Sequence, residues 1–284
     1  GHRSSGIMAQ VYPALRAALG LPPSTLYVYD FIQQLAVVED DVLDAVGADV
    51  VEIGHDLIHS PEYWQDWTLA DGTPCKIPAF IPVERCGNDW VVRGDEGQVI
   101  CIQKEGTLFF DQTCFPLLGM DEDQEAEALE RLEYHLDQIM WWRLGIPPAP
   151  AALDAPERIA SARALRASTD RAIYGTFGGN LLEVGEFAYR IDNFLMLLAA
   201  EPRRMHAFLD RLVEIHLRNL ERYLGAVGEF IDVIGFGDDL GMQTGPQISP
   251  RMYREFFQPR HKILWHRAKE LCPHLKVGVH SCGA

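Results

Sequence analysis

Apolar positions recur at helical spacing from the start of the chain: Ile7-Met8, Val11-Tyr12, Leu15 and Ala18-Leu19, stopping at Gly20 with Leu21-Pro22-Pro23 as a breaker. The spacing predicts a first amphipathic helix. Two more short helices are expected over Tyr29 to Val38 and Asp40 to Val46. Asp49-Val50-Val51-Glu52-Ile53-Gly54 is a β-branched run closed by glycine, the pattern of a buried parallel strand. From Trp67 to about Phe115 the texture changes. Asp89-Trp90-Val91-Val92-Arg93, Gln98-Val99-Ile100-Cys101-Ile102 and Thr107-Leu108-Phe109-Phe110 alternate with turn residues around Gly94, Gly97 and Gly106. This stretch, 67–115, reads as a β-hairpin insertion, because so short a segment makes a marginal core of its own.

Asp121 to Leu144 is helical in pattern, and Pro147-Pro148-Ala149-Pro150 is a stiff connection. Beyond it the alternation is regular. Helices are expected over Glu157 to Ser168, Leu181 to Ala200, Pro202 to Val227 and Pro250 to Leu271, and strands over Ala172 to Phe177, Phe230 to Phe236 and Leu275 to Cys282. Strands alternating with long helices indicate parallel β/α units. Four such strands are visible, fewer than a closed eight-stranded barrel requires. No internal repeat or low-complexity tract occurs.

The formal charge of −16 argues against nucleic acid as a partner, since a polyanion binder needs clustered Lys and Arg. No apolar run reaches the roughly 18 residues of a membrane span and no signal sequence opens the chain, so it reads as soluble, cytoplasmic and free of membrane partners. Six cysteines are too sparse for a disulfide scaffold, and Cys75, Cys86, Cys101 and Cys114 are expected as free thiols. The chain opens on Gly1-His2-Arg3, with its first methionine at Met8 inside a helix, and is expected to be a fragment cut at both ends.

The chemistry-bearing residues gather at strand ends. Asp238-Asp239 follows the 230–236 strand, inside the Gly-rich run Gly235-Phe236-Gly237-Asp238-Asp239-Leu240-Gly241-Met242-Gln243. Barrel enzymes place their catalytic groups there. The two carboxylates are candidate catalytic residues, with Gln243 a candidate substrate contact; the alternative is a capping loop in which Asp239 or Ser249 closes a helix start. Ser249-Pro250 has the form of an N-cap followed by Pro at the first helical position. His280 and Cys282 are two apart on the last strand and so share a face, offering half of a zinc site; the alternative is a strand end with a packed thiol and a solvated imidazole. Gly283 allows a sharp turn beside them. Gly175-Thr176-Phe177-Gly178-Gly179-Asn180 opens a helix and is either an anion cradle, with Asn180 a candidate substrate contact, or a plain strand-to-helix turn. His55 and His59 are paired ligands if their segment is helical and surface loop residues if it is not.

Several of these runs together resemble a known family. Asp238-Asp239-Leu240-Gly241-Met242-Gln243, Ile248-Ser249-Pro250-Arg251-Met252-Tyr253-Arg254-Glu255-Phe256 with Pro259-Arg260, and His280-Ser281-Cys282-Gly283 are similar to the uroporphyrinogen decarboxylase superfamily, and within it to the methylcobalamin:coenzyme M methyltransferases. Tyr29-Asp30-Phe31-Ile32-Gln33-Gln34-Leu35-Ala36 fits the same group. The resemblance covers most of the chain and is strongest from 172 onward.

It implies an α/β fold, a (β/α)8 TIM barrel incomplete in this chain, spanning 1–284 with the 67–115 insertion within it. In the methyltransferase branch the His and Cys of His-x-Cys bind zinc, which carries over to His280 and Cys282; the third ligand is a cysteine farther downstream than residue 284. The implied reaction moves a methyl group between a corrinoid held by a partner protein and a thiol or similar acceptor, with Asp238 or Asp239 orienting the acceptor or steadying the ligands. Two alternatives stand beside it. One is metal-independent decarboxylation of a uroporphyrinogen-like substrate, although Gly175-Thr176-Phe177-Gly178-Gly179-Asn180 replaces that branch's Gly-Ala-Pro-Trp-Thr segment and its N-terminal arginine motif has no counterpart here. The other is a non-catalytic corrinoid-protein partner.

Overall fold

The structure, a computed structural model, describes residues 6–53, 61–144 and 153–283. His55, His59 and the Pro147-Pro148-Ala149-Pro150 connection lie outside the described residues. A 3-10 turn at Ala9–Val11 leads into α1 (Tyr12–Ala18), then β1 (Val28–Asp30), β2 (Leu35–Ala36), α2 (Asp40–Val46) and β3 (Val50–Glu52). The next strands are β4 (Trp64–Thr68), β5 (Pro74–Pro78), β6 (Val83–Cys86), β7 (Asp89–Arg93), β8 (Val99–Gln103) and β9 (Asp111–Gln112). Short helices α3 (Glu122–Glu130), α4 (Leu132–Leu136) and α5 (Met140–Leu144) precede the regular half. That half runs α6 (Pro156–Ser168), β10 (Ala172–Gly178), α7 (Leu182–Tyr189), α8 (Ile191–Ala200), α9 (Pro202–Val227), β11 (Val233–Gly237), α10 (Pro250–Met252), α11 (Gln258–Leu271) and β12 (Lys276–His280).

The four expected parallel strands form one sheet in the order β12-β11-β10-β3. Each is hydrogen-bonded to its sequence neighbour in the set: Val50 pairs with Ala172, Tyr174 with Val233, and Val233 with Lys276. The ends of β10, β11 and β12 therefore fall nearly level along one edge, while β3 stops opposite Tyr174. A consecutive parallel order with intervening helices is the arrangement of a barrel wall, and the described residues do not close it into a barrel. Helix α9 packs along this sheet by an apolar stripe at helical spacing: Met205, Phe208, Leu212, Ile215, Leu220, Tyr223 and Val227 are all buried. Burial of each such side chain contributes about 1.5–3 kcal/mol. Its polar exception, His216, is buried too, and its Nε2–H donates to the Asn180 carbonyl at 3.0 Å, pinning the loop after β10. No described helix is long and apolar enough to cross a membrane.

The structure departs from the expected elements in four places. The segment expected as a helix over Tyr29 to Val38 is the antiparallel pair β1–β2. Asp30 accepts hydrogen bonds from the Gln33 backbone N–H and side-chain amide, both at 2.8 Å, and Gln34 sits at φ 55°, so a side-chain-closed turn replaces the helix. Leu181 to Ala200 is two helices, because Arg190 takes φ 67° and α8 folds back on α7. Gly185 makes that approach possible: a Cβ there would lie 2.1 Å from the Phe194 ring. The stretch from 64 to 112 holds more than a hairpin, a β4–β5 ribbon and a four-stranded β6-β7-β8-β9 meander. Within Pro250 to Leu271, a π-helical turn at Tyr253–Phe257 separates α10 from α11. Ser249 does cap this helix, accepting from the Met252 N–H at 3.2 Å.

Two stability predictions follow from the packing. Gly185→Ala is expected to cost about 1–3 kcal/mol in urea denaturation, since a methyl group has no space against Phe194. Burial depresses the His216 imidazole to about 4, below its ordinary 6.5, so the folded state resists its protonation. Its contribution is complete above pH 6.5 and is lost as pH falls from about 6.5 towards 4, amounting to at most about 3 kcal/mol. Melting curves between pH 7 and pH 4 should show that slope in the parent and a shallower one in His216→Gln.

Candidate metal centre and its chamber

The β11–β12 pairing sets the geometry of the site. Gly237 lies opposite His280, so the two strands end level and their following loops run side by side. The loops are joined by backbone bonds: Asp238 N–H donates to the His280 carbonyl at 3.1 Å and Gly241 N–H to the Cys282 carbonyl at 3.2 Å, while Leu240 N–H donates to the Ser281 hydroxyl at 3.1 Å. Gly283, at φ 96°, lies so close to Gly241 that a Cβ would fall 2.2 Å from its carbonyl carbon. Only glycine fits that approach.

This zipper brings three donors together. The Cys282 backbone N–H donates to Asp239 Oδ1 at 2.7 Å, His280 Nε2 lies 3.1 Å from Cys282 Sγ, and the same nitrogen is 3.5 Å from Asp239 Oδ1. The imidazole nitrogen, the thiol sulfur and a carboxylate oxygen all lie within 4.8 Å of one another. The expected pairing of His280 with Cys282 is present, although β12 ends at His280 and Cys282 lies just beyond the strand. Beside them, Asp239 offers a third donor from within the chain. Burial and the Asp239 carboxylate push the Cys282 thiol up, with Glu183 adding to the effect, so this thiol lacks a positive partner. An imidazole, a thiol and a carboxylate in an acidic setting suit a divalent zinc ion, which ionises the thiol and balances the charge.

The adjacent Asp238 faces the other way. Its side chain is buried and accepts from the N–H groups of Leu181, Leu182 and Glu183 at 3.1, 2.9 and 3.1 Å, the open first turn of α7. His261 Nε2 lies 3.0 Å from its Oδ2, and the His261 ring is stacked on Trp265 with its Nδ1 3.4 Å from the Tyr253 hydroxyl. Asp238 therefore faces the start of α7 and does not line the chamber; of the expected caps, Ser249 closes its helix, Asp238 closes α7, and Asp239 lines the chamber. A carboxylate on a helix N-terminus satisfies orphan N–H groups and opposes the helix dipole.

Beside the three donors is a chamber of about 250 Å³, walled by Tyr174, Trp141, Trp142, Phe187 and Phe236. Asn180 lines it, its side-chain amide donating to Glu183 Oε2. Gln243 is exposed on the outer loop and does not line the chamber. On the same loop the Gln247 amide donates to the Asp239 carbonyl at 2.9 Å.

Glu183 also lines the chamber and accepts from the Asp239 N–H at 3.0 Å. Burial, with Asp238 and Asp239 close by, pushes its carboxyl up to about 8. The sequence reading did not single out Glu183, His216 or the Trp141-Trp142 pair. Asn180-x-x-Glu183 at a helix start is the capping-box spacing, and it is the one sequence signal that points to Glu183.

Residues 182–284 match the family model described as uroporphyrinogen decarboxylase (URO-D). No curated protein matches the chain in sequence. Among solved structures, a methyltransferase from Methanosarcina mazei aligns with 98% of this chain and 71% of its own, at 15% identity and a TM-score of 0.45. The segment similar to the URO-D family runs from α7 through β12, and it is the segment that carries Glu183, Asp238, Asp239, His280 and Cys282.

Proposed function

We propose that the protein is a zinc-dependent methyltransferase of the uroporphyrinogen decarboxylase superfamily, moving a methyl group between a corrinoid carried by a partner protein and a thiol acceptor seated in the chamber. The reading rests on one observation, the meeting of Asp239, His280 and Cys282 at the C-terminal ends of adjacent parallel strands, beside an apolar cavity. His280, Cys282 and Asp239 are the residues that would hold the metal. Bound zinc supplies Lewis acidity that keeps an acceptor thiol ionised at neutral pH.

The chain's own groups do the rest. Trp141, Trp142, Phe187 and Phe236 exclude water from the thiolate, which strengthens it as a nucleophile. Glu183 holds the Asp239 backbone from below, and Asp238 ties the same loop to α7, so the carboxylate cannot swing away from His280 and Cys282. The Asn180 loop is fixed by His216 and presents its amide side chain to the cavity.

Decarboxylation stands as the second reading because of Glu183. A carboxyl held protonated near neutral pH can return a proton to a carbon that has lost carbon dioxide.

Zinc content measured after dialysis is expected at one equivalent per chain, with His280→Ala and Cys282→Ala each weakening binding by at least about tenfold; stoichiometric zinc in both variants would overturn the assignment. Methyl transfer from free methylcobalamin to small thiols is expected to require zinc and to stay within about tenfold of the parent in Glu183→Gln. Under decarboxylation, chelator leaves carbon dioxide release intact and Glu183→Gln lowers it about 10²-fold or more. The same variant carries a stability signature. Glu183 titrates at about 8 when folded, above its ordinary 4.5, so ionising it opposes folding and stability falls as pH rises from about 4.5 to 8. Zinc-free Glu183→Gln is therefore expected to melt above the parent at pH 8.5 and level with it at pH 4.5.

A further inference from the structure

A second cavity of about 650 Å³ opens on the far side of Trp141 and Phe187, residues it shares with the chamber beside the donors. Its volume lies in the range of small-molecule pockets. Three more rings line it, Phe109, Phe110 and Phe115, and among this aromatic surface stand two carboxyls, the exposed Asp111 and the buried Glu186 on α7.

Glu186 is only 7% exposed, and its Oε1 is buried with no hydrogen-bond partner. A buried carboxyl oxygen without a partner is costly unless something else satisfies the group. The guanidinium that lines the same cavity does not: Arg190 is held by Asp192 through Nε–Oδ1 and Nη2–Oδ2 bonds of 2.6 and 2.7 Å. Asp111, the other charged residue of the lining, is also acidic. Burial, with Glu183, Asp238 and Asp239 behind it, pushes the Glu186 carboxyl up to about 8, as expected of an acid that lacks a cation. None of this is required by the metal centre or by the packing of α7, whose core contacts are made by Leu182, Gly185 and Tyr189.

Aromatic faces attract an organic cation through their quadrupoles, and a buried carboxylate supplies the opposite charge. We propose that this second cavity is a binding site for a small organic ammonium ion, its charge set against Glu186 and its alkyl groups against the rings of Phe109, Phe110, Phe115, Trp141 and Phe187. A neutral molecule of the same shape would leave the carboxyl unpaired. The site stands independently of the metal and of the methyl-transfer reading.

The test is calorimetric titration of the purified chain at pH 8 with choline, tetramethylammonium and butylammonium, set against 3,3-dimethylbutan-1-ol, the uncharged isostere of choline. At least one ammonium is expected to bind below about 10 mM, with choline about tenfold tighter than the alcohol if choline is the one that fits. Glu186→Gln, which preserves shape, should remove the preference for charge. Phe109→Leu, at a ring that is 41% exposed and so dispensable to the core, should weaken the ammonium about threefold or more. Asp239→Asn should leave the preference for the charged ligand in place. Three outcomes overturn the proposal: no ammonium binding below about 10 mM, charge preference that survives Glu186→Gln, or preference that disappears in Asp239→Asn and so belongs to the other chamber.

Discussion

The Asp238 carboxylate, buried where the loop after β11 meets the first turn of α7, is the constraint on which the rest of the site depends. It accepts three backbone N–H groups of α7 while its own backbone is bonded to the His280 carbonyl, so a single residue joins the helix start to the ends of two strands. Charge-assisted bonds of this kind are stronger than neutral ones, and burial removes the water that would compete for them. His261 and Tyr253 extend the tie into the helix layer, where the π-helical turn brings the tyrosine hydroxyl towards the imidazole.

Everything that can perform chemistry hangs from this tie. With Asp238 fixed, the next residue must face the other side of the loop, and Asp239 is delivered to His280 and Cys282. With the α7 start fixed, Glu183 and Glu186, three apart, stand on one side of the helix and reach different cavities. One shared wall of Trp141 and Phe187 thus separates a chamber with three metal-type donors from a second one whose buried acid, Glu186, has an unpartnered oxygen. Burial, with the neighbouring carboxylates adding to it, is why Glu183, Glu186 and the Cys282 thiol all hold their protons more tightly than usual.

The parts of the fold that were legible are those with a strong local period. The stripe of α9 from Met205 to Val227 and the β-branched strands at 50–52 and 233–237 announce themselves because a helix face and a buried strand each repeat on their own residues. The parts that were not legible are decided by competition at short range or by distant partners. Tyr29 to Val38 has an apolar content that suits a helix, yet the Asp30 side chain captures Gln33 and turns the chain. Leu181 to Ala200 has continuous helical pattern, yet the pocket that Gly185 leaves for Phe194 favours a reversal at Arg190.

Strand periodicity in the sequence pointed to His280 and Cys282 as a pair, yet β12 ends at His280, and it is the bonding of Cys282 to Gly241 and Asp239 across the two loops that sets its thiol beside the imidazole. The sequence by itself determined that Asp238 and Asp239 stand at a strand end, and that a parallel β/α arrangement carries them. Only the tertiary structure decided which of the two carboxylates is spent on a helix and which meets the His-Cys pair. It alone revealed Glu183 behind Asp239, Glu186 without a partner, and Gln243 turned away from the cavity. The physical reason is range. Periodicity is a property of neighbouring residues, whereas burial, the capping of a helix 57 residues away and the shift of a carboxyl's protonation depend on what the folded chain places around each group.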